Sequence, residues 1–215
     1  MCATRRAEEA IGAEQPASRL MIEPAAWTPP FDWPALYGNR DPVELEIGCG
    51  KGMFLKEAAL RFGDRNYLGV DTAGRFLRVG EQRLQRAGIE RVRLMRADGL
   101  DVLQRWIEPG SVRTLHIYFP DPWPKKRHRK RRIFRPALLE LAATALRPAG
   151  ELRVATDDPA YAEQIRELLA SAPDRFRPHP WSPEDPERLP TNYARKWLRA
   201  GRTLWWARYR LAAED

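Results

Sequence analysis

A chain of 215 residues with 43% hydrophobic residues is long enough to bury one sizeable core, and no apolar run approaches the ~20 residues of a membrane-spanning helix. The net charge of +8 favours an anionic partner, but 31 of the 37 basic residues are Arg spread along the whole chain, so only local clusters of charge carry weight. Cys2 and Cys49 stand far apart without metal-type spacing, which excludes a disulfide framework and points to a reducing, cytoplasmic setting with no metal site.

Residues 1–40 are rich in Ala, Glu, Arg and Pro and lack the apolar stretch of a signal peptide. They read as an irregular extension ahead of a single domain over 41–215. From residue 43 strands and helices alternate. A strand at 43–48 runs into glycines, and a helix at 53–62 follows. Next come a strand at 66–71, an amphipathic helix at 76–88 closed by Gly88, a strand at 92–98 and a short helix at 100–107. The strand at 112–119 leads into FPDPWPKKRHRKRR. Beyond it lie a helix at 135–146 ended by PAG, a strand at 151–156 and a helix at 159–171. Aromatic residues favour strands near Phe176 and over 203–211. This rhythm predicts right-handed βαβ units and a doubly wound, mostly parallel α/β sheet, whose ligands bind beyond the carboxyl ends of the strands. Glu46 to Gly52, Asp71, Asp98, Asp121 and Asp157 all fall at or just past such an end.

The first strand delivers EIGCGKG, residues 46–52. Gly48, Gly50 and Gly52 permit a tight turn and close approach of backbone to ligand. A nicotinamide-binding loop more often reads G-x-G-x-x-G; here the third glycine comes one residue early and Glu46 precedes the first. An acid beside the loop suits the cationic amino-acid end of S-adenosylmethionine better than a pyrophosphate. Asp71 is placed to take both ribose hydroxyls and Asp98 to accept from the adenine amino group. Nicotinamide binding is the alternative, and a glycine turn with no ligand is the bland one. Cys49 reads as a small packing residue of the turn rather than a nucleophile.

Three prolines stop FPDPWP from continuing the sheet and make it a stiff turn that would set Asp121 beside the transferable methyl group. The run that follows, Lys125 to Arg132, is anchored between a strand and a helix, unlike a solvated tail. Lys and Arg concentrated at the mouth of a site suit the phosphates of a nucleic acid. His128 reads as a further phosphate contact rather than a base. Asp157 reads as a site residue, with capping of the next helix by Asp157 or Asp158 as its structural alternative. Of the C-terminal tryptophans, Trp205 and Trp206 would face opposite sides of a strand, with core packing favoured over base stacking.

EIGCGKG, FPDPWPKKRHRKRR, RVATDDPAYAE and LPTNYARKWLRAGRTLWWARY, in this order, resemble the bacterial tRNA (guanine-N7-)-methyltransferase family from about Val43 to Tyr209. The resemblance implies a Rossmann-like class I methyltransferase with a C-terminal antiparallel strand. It implies methyl transfer from S-adenosylmethionine to N7 of the variable-loop guanine of tRNA. It makes Glu46, Asp71, Asp98 and Asp121 cofactor contacts with Asp121 also catalytic, and Lys125, Asp157, Thr191 and Tyr193 substrate contacts. Arg127, His128, Arg129, Lys130, Arg131 and Arg132 become the RNA-contacting run. The family's T-x-(Phe or Tyr)-E-x-(Lys or Arg) signature stands here as Thr191 to Lys196, with Ala194 in place of the glutamate. Asp157, Asp158 or a water would then replace that carboxylate. No membrane or obligate protein partner is implied, and a monomer or homodimer would serve. A nicotinamide-dependent oxidoreductase, a non-enzymatic RNA-binding module and a small-molecule methyltransferase are the rival readings; the first leaves the basic block unexplained, and the second has no use for a cofactor loop with three spaced acids.

Overall fold

The computed structural model describes residues 20–181, 185, 188–189 and 191–212. The elements in chain order are β1 (Met21–Ile22), α1 (Trp33–Tyr37), β2 (Val43–Ile47), α2 (Met53–Arg61), β3 (Asn66–Asp71) and α3 (Gly74–Arg86). There follow β4 (Val92–Arg96), α4 (Gly99–Arg105), β5 (Val112–Tyr118), α5 (Pro136–Ala145), β6 (Leu146–Thr156) and α6 (Pro159–Ala170). The chain continues through β7 (Phe176–Pro178), α7 (Asn192–Arg199) and β8 (Trp205–Leu211). Short 3-10 turns lie at Pro24–Ala26 and Lys126–Arg131.

All eight strands join one sheet in the order β1-β4-β3-β2-β5-β6-β8-β7. The first six are paired in parallel, and β8 runs antiparallel to both β6 and β7. The order reverses between β2 and β5, which opens a crevice at the ends of those two strands. Helices on both faces leave the central strands no solvated side, so even the polar residues they carry, Glu44, Glu46, Thr114 and His116, are buried. Leu45, Ile47, Leu68, Val70, Leu115 and Ile117 face one cluster with residues of α4, α5 and α6. Tyr67, Leu94, Tyr118 and Ala155 face the other, against Phe54 and Leu55 of α2 and Leu77 and Leu84 of α3.

Three regions depart from the sequence reading. Residues 20–40, expected to be irregular, complete the core. Met21 and Ile22 pair with Leu94 and Met95 on β4, and Phe31, 3% exposed, packs its ring 4.9 Å from that of Trp106. A two-residue strand has no periodicity to read, and residues 1–19 lie outside the described residues. The PAG segment at 148–150 is a wide irregularity inside β6 rather than a gap before it: Leu146 pairs with Val112 and Glu151 with Thr114, and Ala149 takes φ 57°. Finally, residues 192–199 form α7, which aromatic and basic composition hid. Trp205 and Trp206 do face opposite sides, packed against the two different clusters.

Candidate functional site

At the switch point the chain leaves β2 through Gly48 (φ 81°) and Gly50 (φ 53°), backbone conformations that side chains disfavour. A Cβ added to either would meet nothing within 4 Å. Both glycines line a cleft of about 380 Å³, so the open side of the turn is ligand space rather than packed protein. Gly52 instead caps the start of α2, and a Cβ there would lie 3.6 Å from Cα of Gly80, so it serves the approach of α2 to α3. Asp71, at the end of β3, accepts the Gly50 N–H at 2.8 Å and the Ala73 N–H at 2.7 Å. It therefore fixes the glycine turn while keeping lone pairs for a ligand. Asp98 lies past the end of β4 and caps α4, accepting from Leu100 N–H at 2.9 Å and Asp101 N–H at 3.2 Å. Asp71 and Asp98 both line the cleft.

Glu46 lies beneath the turn and is 4% exposed, and its Oε2 is buried without a hydrogen-bond partner. Burial, reinforced by the charge of Asp71, pushes its carboxyl up to about 8. Such a group is incomplete in this state; a cationic donor would satisfy it. The same surroundings answer for Cys49, whose thiol is pushed well above its usual range by burial, Glu46 and Asp71, so it packs and does not attack.

Beyond β5 the proline-bound turn is bracketed by Phe119 (φ 53°) and Trp123 (φ 40°), two non-glycine residues in left-handed backbone. Strain of this kind persists only where surrounding structure over-determines it. Its result is that Asp121 lines the cleft with no hydrogen-bond or ion-pair partner among the described residues. Trp123 lines the same wall, with Arg131 stacked over its ring at 4.9 Å and His128 edge-on at 5.7 Å. Arg127 Nε donates to His128 Nε2 at 3.3 Å. Lys125, Arg127, Arg129 and Lys130 are exposed, and no carboxylate among the described residues pairs with any of them or with Arg131.

Arg132 stands apart from that run. It is 5% exposed, donates to the Pro122 carbonyl at 2.7 Å and to the Gln164 side chain, and lies over the Tyr161 ring at 4.5 Å. Its guanidinium clamps the basic turn to α6. Asp157 does not line the cleft; it accepts from Arg202 at 2.9 Å, while Asp158 caps α6 by accepting the Tyr161 N–H at 2.7 Å. Thr191 is 6% exposed and caps α7, accepting the Ala194 N–H at 3.0 Å. That cap places Tyr193 in the cleft, its ring stacked 6.1 Å from Phe119. Ala194 is 1% exposed at the third helical position, where a glutamate would complete a capping box with Thr191.

The sequence reading missed two features of this wall. Tyr118 and Trp123 both line the cleft. Tyr118 is held from behind at 2.9 Å by His116 Nδ1, whose Nε2 lies 2.9 Å from Glu44 Oε2. Burial alone would raise the Glu44 carboxyl, but the His116 hydrogen bond and charge, with Arg65 and Arg153, hold it below the usual range. The available signal was position: Tyr118 ends β5 and Trp123 lies in the turn that leaves it, at the same sheet edge as the predicted acids. Among the described residues no group of three or more His, Cys, Asp or Glu could hold a metal, and no helix is long and apolar enough to cross a membrane.

Comparison with known proteins bears on the whole domain. A family model described as "Putative methyltransferase" matches residues 40–207. The tRNA (guanine-N(7)-)-methyltransferase of Mycobacterium avium is 41% identical over 167 residues, 78% of this chain; the match spans 62% of that relative's length. The protein of the same name from Alkalilimnicola ehrlichii is 38% identical, covering 91% of this chain and 82% of its own. Among solved structures, the 16S rRNA methyltransferase KamB superposes with TM-score 0.59 at 18% identity, over 83% of this chain and 92% of that one. Geranyl diphosphate C-methyltransferase from Streptomyces coelicolor, solved with S-adenosyl-L-homocysteine, gives 0.52 at 19% identity, over 80% and 70%. These two likenesses show the class I methyltransferase fold. The chain belongs to the bacterial tRNA (guanine-N7-)-methyltransferase family.

Proposed function

We propose that the protein transfers a methyl group from S-adenosylmethionine to N7 of a variable-loop guanine in tRNA. The observation that carries this reading is the meeting, in one cleft, of the open glycine turn, Asp71 and Asp98 with the unpaired Asp121 and Arg131. The residues present fit the cofactor. Glu46, buried and unpartnered on one oxygen, suits a cationic amino group, which would favour its charged form, whereas a pyrophosphate would meet Asp71 as a like charge and gain nothing from Glu46. Asp71 has acceptor capacity for ribose hydroxyls and Asp98 for an adenine amine.

When bound, S-adenosylmethionine supplies an electrophilic methyl group on a sulfonium. Guanine N7 has a lone pair and no proton, so the chain need not provide a base for the attack. What its residues contribute is orientation and electrostatics. Asp121 sets a carboxylate where positive charge accumulates on the purine, and can accept from guanine N1–H or the exocyclic amine, which adenine does not match. Tyr193 and Trp123 offer aromatic faces to a base, and the exposed residues Lys125, Arg127, Arg129, Lys130 and Arg131 face the RNA phosphates beside it. His128 sits within that run as a support for Arg127. Thr191 and Asp157 act one step back: Thr191 starts α7, and Asp157 holds Arg202 at its far end. Arg132 likewise fixes the basic turn from behind.

The test is transfer of labelled methyl from S-adenosylmethionine to unmodified tRNA by the purified chain, with and without ribonuclease. Label in acid-precipitable material that ribonuclease releases is the expected outcome. Binding of a nicotinamide cofactor instead, or label that survives ribonuclease as a small molecule, would overturn it.

A further inference from the structure

Resting on that reading, we infer that α7 is a second RNA-gripping element, and that the cleft is bracketed by phosphate contacts on two sides rather than one. Tyr193 of the first turn of α7 lines the cleft, as do Trp123 and Arg131 of the basic turn, so the two segments share that cleft. Both are free of acids over long stretches. No Asp or Glu occurs between Asp121 and Glu140, and none between Thr191 and Arg210.

Helix α7 carries Arg195, Lys196 and Arg199, all exposed. Together with Ala200 they line a surface depression of about 570 Å³, so the three cations lie together on the helix surface. The charge is held in place rather than trailing in solvent. Thr191 caps the start of the helix, Arg195 lies 3.7 Å from Glu57 on α2, and Arg202 pairs with Asp157 at 2.9 Å while stacking 3.8 Å over Trp197. Those tethers use Arg195 and Arg202. Lys196 rests over the Trp197 ring at 4.4 Å, and neither Lys196 nor Arg199 has a carboxylate partner among the described residues.

An isolated run of surface cations is ordinarily a solvated face. This one is tied by ion pairs at two points, to Glu57 of α2 and to Asp157 after β6, and stabilising a protein does not require leaving its other cations unneutralised. Cations without carboxylate partners, on the helix whose first turn reaches the cleft through Tyr193, complement a regularly charged backbone. The occupant is the phosphate backbone of the RNA that supplies the guanine.

The experiment measures tRNA binding by the full chain over a series of KCl concentrations. It compares wild type with Lys196→Gln/Arg199→Gln and with Arg127→Gln/Lys130→Gln. Each pair should lower the slope of log K against log salt by roughly 1.4 to 1.8, which is roughly 10- to 30-fold in affinity near 0.15 M salt. S-adenosylmethionine affinity and melting temperature should stay at wild-type values, and turnover at saturating tRNA should fall by less than about twofold while KM for tRNA rises by the affinity ratio. An unchanged slope and KM in the α7 variant, with the expected loss in the basic-turn variant, would overturn the inference and leave the proposed function standing. Wild-type protein that binds S-adenosylmethionine but no tRNA would overturn both together.

Discussion

Two carboxylates in the site differ in what surrounds them, and that difference separates their roles. Asp121 is exposed at the cleft and unpaired, so it is available to a substrate. Replacing it by Asn keeps the shape and removes the charge. The expected result is a fall in turnover of about 10²- to 10³-fold with S-adenosylmethionine affinity changed much less, read from single-turnover rates and dialysis. Glu46 is the opposite case. Its carboxyl titrates near 8 in the folded chain because of burial and then Asp71, against an ordinary value of 4.5. Between those values the folded state holds a proton that the unfolded chain has lost, so stability falls as pH rises from about 5 to 8. Glu46→Gln abolishes that contribution. Melting temperatures of ligand-free wild type and variant should diverge in favour of the variant as pH rises through this window, and parallel curves would refute the assignment. The acids at strand ends were legible in the sequence because parallel sheets deliver their ends to one edge. The burial of Glu46 and the freedom of Asp121 were not, since both depend on what packs around them.

At the scale of the element, the basic turn shows why a charge run cannot be read as a unit. Six of its seven Lys and Arg residues, Lys125 to Arg131, are exposed, and the seventh, Arg132, ties the turn to α6 through Gln164, Tyr161 and the Pro122 carbonyl. Arg132→Ala removes a buried guanidinium from its stack on Tyr161 and leaves two half-buried acceptors to water, and should cost about 2 kcal/mol in urea unfolding. Arg129→Gln, by contrast, should leave stability within about 0.5 kcal/mol while weakening tRNA binding. Equal stability of the two variants would contradict this division. The anchoring of the turn by its prolines and by its flanking strand and helix was legible from residues 119–146 alone. Those residues did not distinguish Arg132, because a guanidinium stacked on a distant tyrosine has no local pattern. Helix α7 carried a helical signal, Thr191 as a cap ahead of an amphipathic eight-residue segment, but the segment is short and the aromatic residues beyond it favour strands, which masked it.

For the whole molecule, the alternation of strands and helices from residue 43 announced a doubly wound sheet, and the sheet is that, with its antiparallel strand at the C-terminal side. What escaped is the contribution of residues 20–40, whose aromatic residues close one end of the larger core cluster. Phe31 lies among Trp27, Trp33 and Trp106, at ring distances of 6.1, 5.5 and 4.9 Å. Phe31→Ala should therefore cost about 3 to 5 kcal/mol in unfolding free energy, as for a core aromatic; a cost below about 1 kcal/mol would return the segment to the status of an appendage. The same global view explains the location of chemistry. Strand order reverses at β2 and β5, so the glycine turn and the FPDPWP turn emerge side by side although about 70 residues separate them, and the helices behind hold each in place.

The most direct measurement is the position of the transferred methyl group. Unmodified tRNA is labelled by the purified chain and cleaved with chemistry specific for 7-methylguanosine, and the fragments are sized. One cut is expected, at a guanine in the variable loop, and it is lost with Asp121→Asn. Label on another atom or base, or cuts scattered along the RNA, would contradict it.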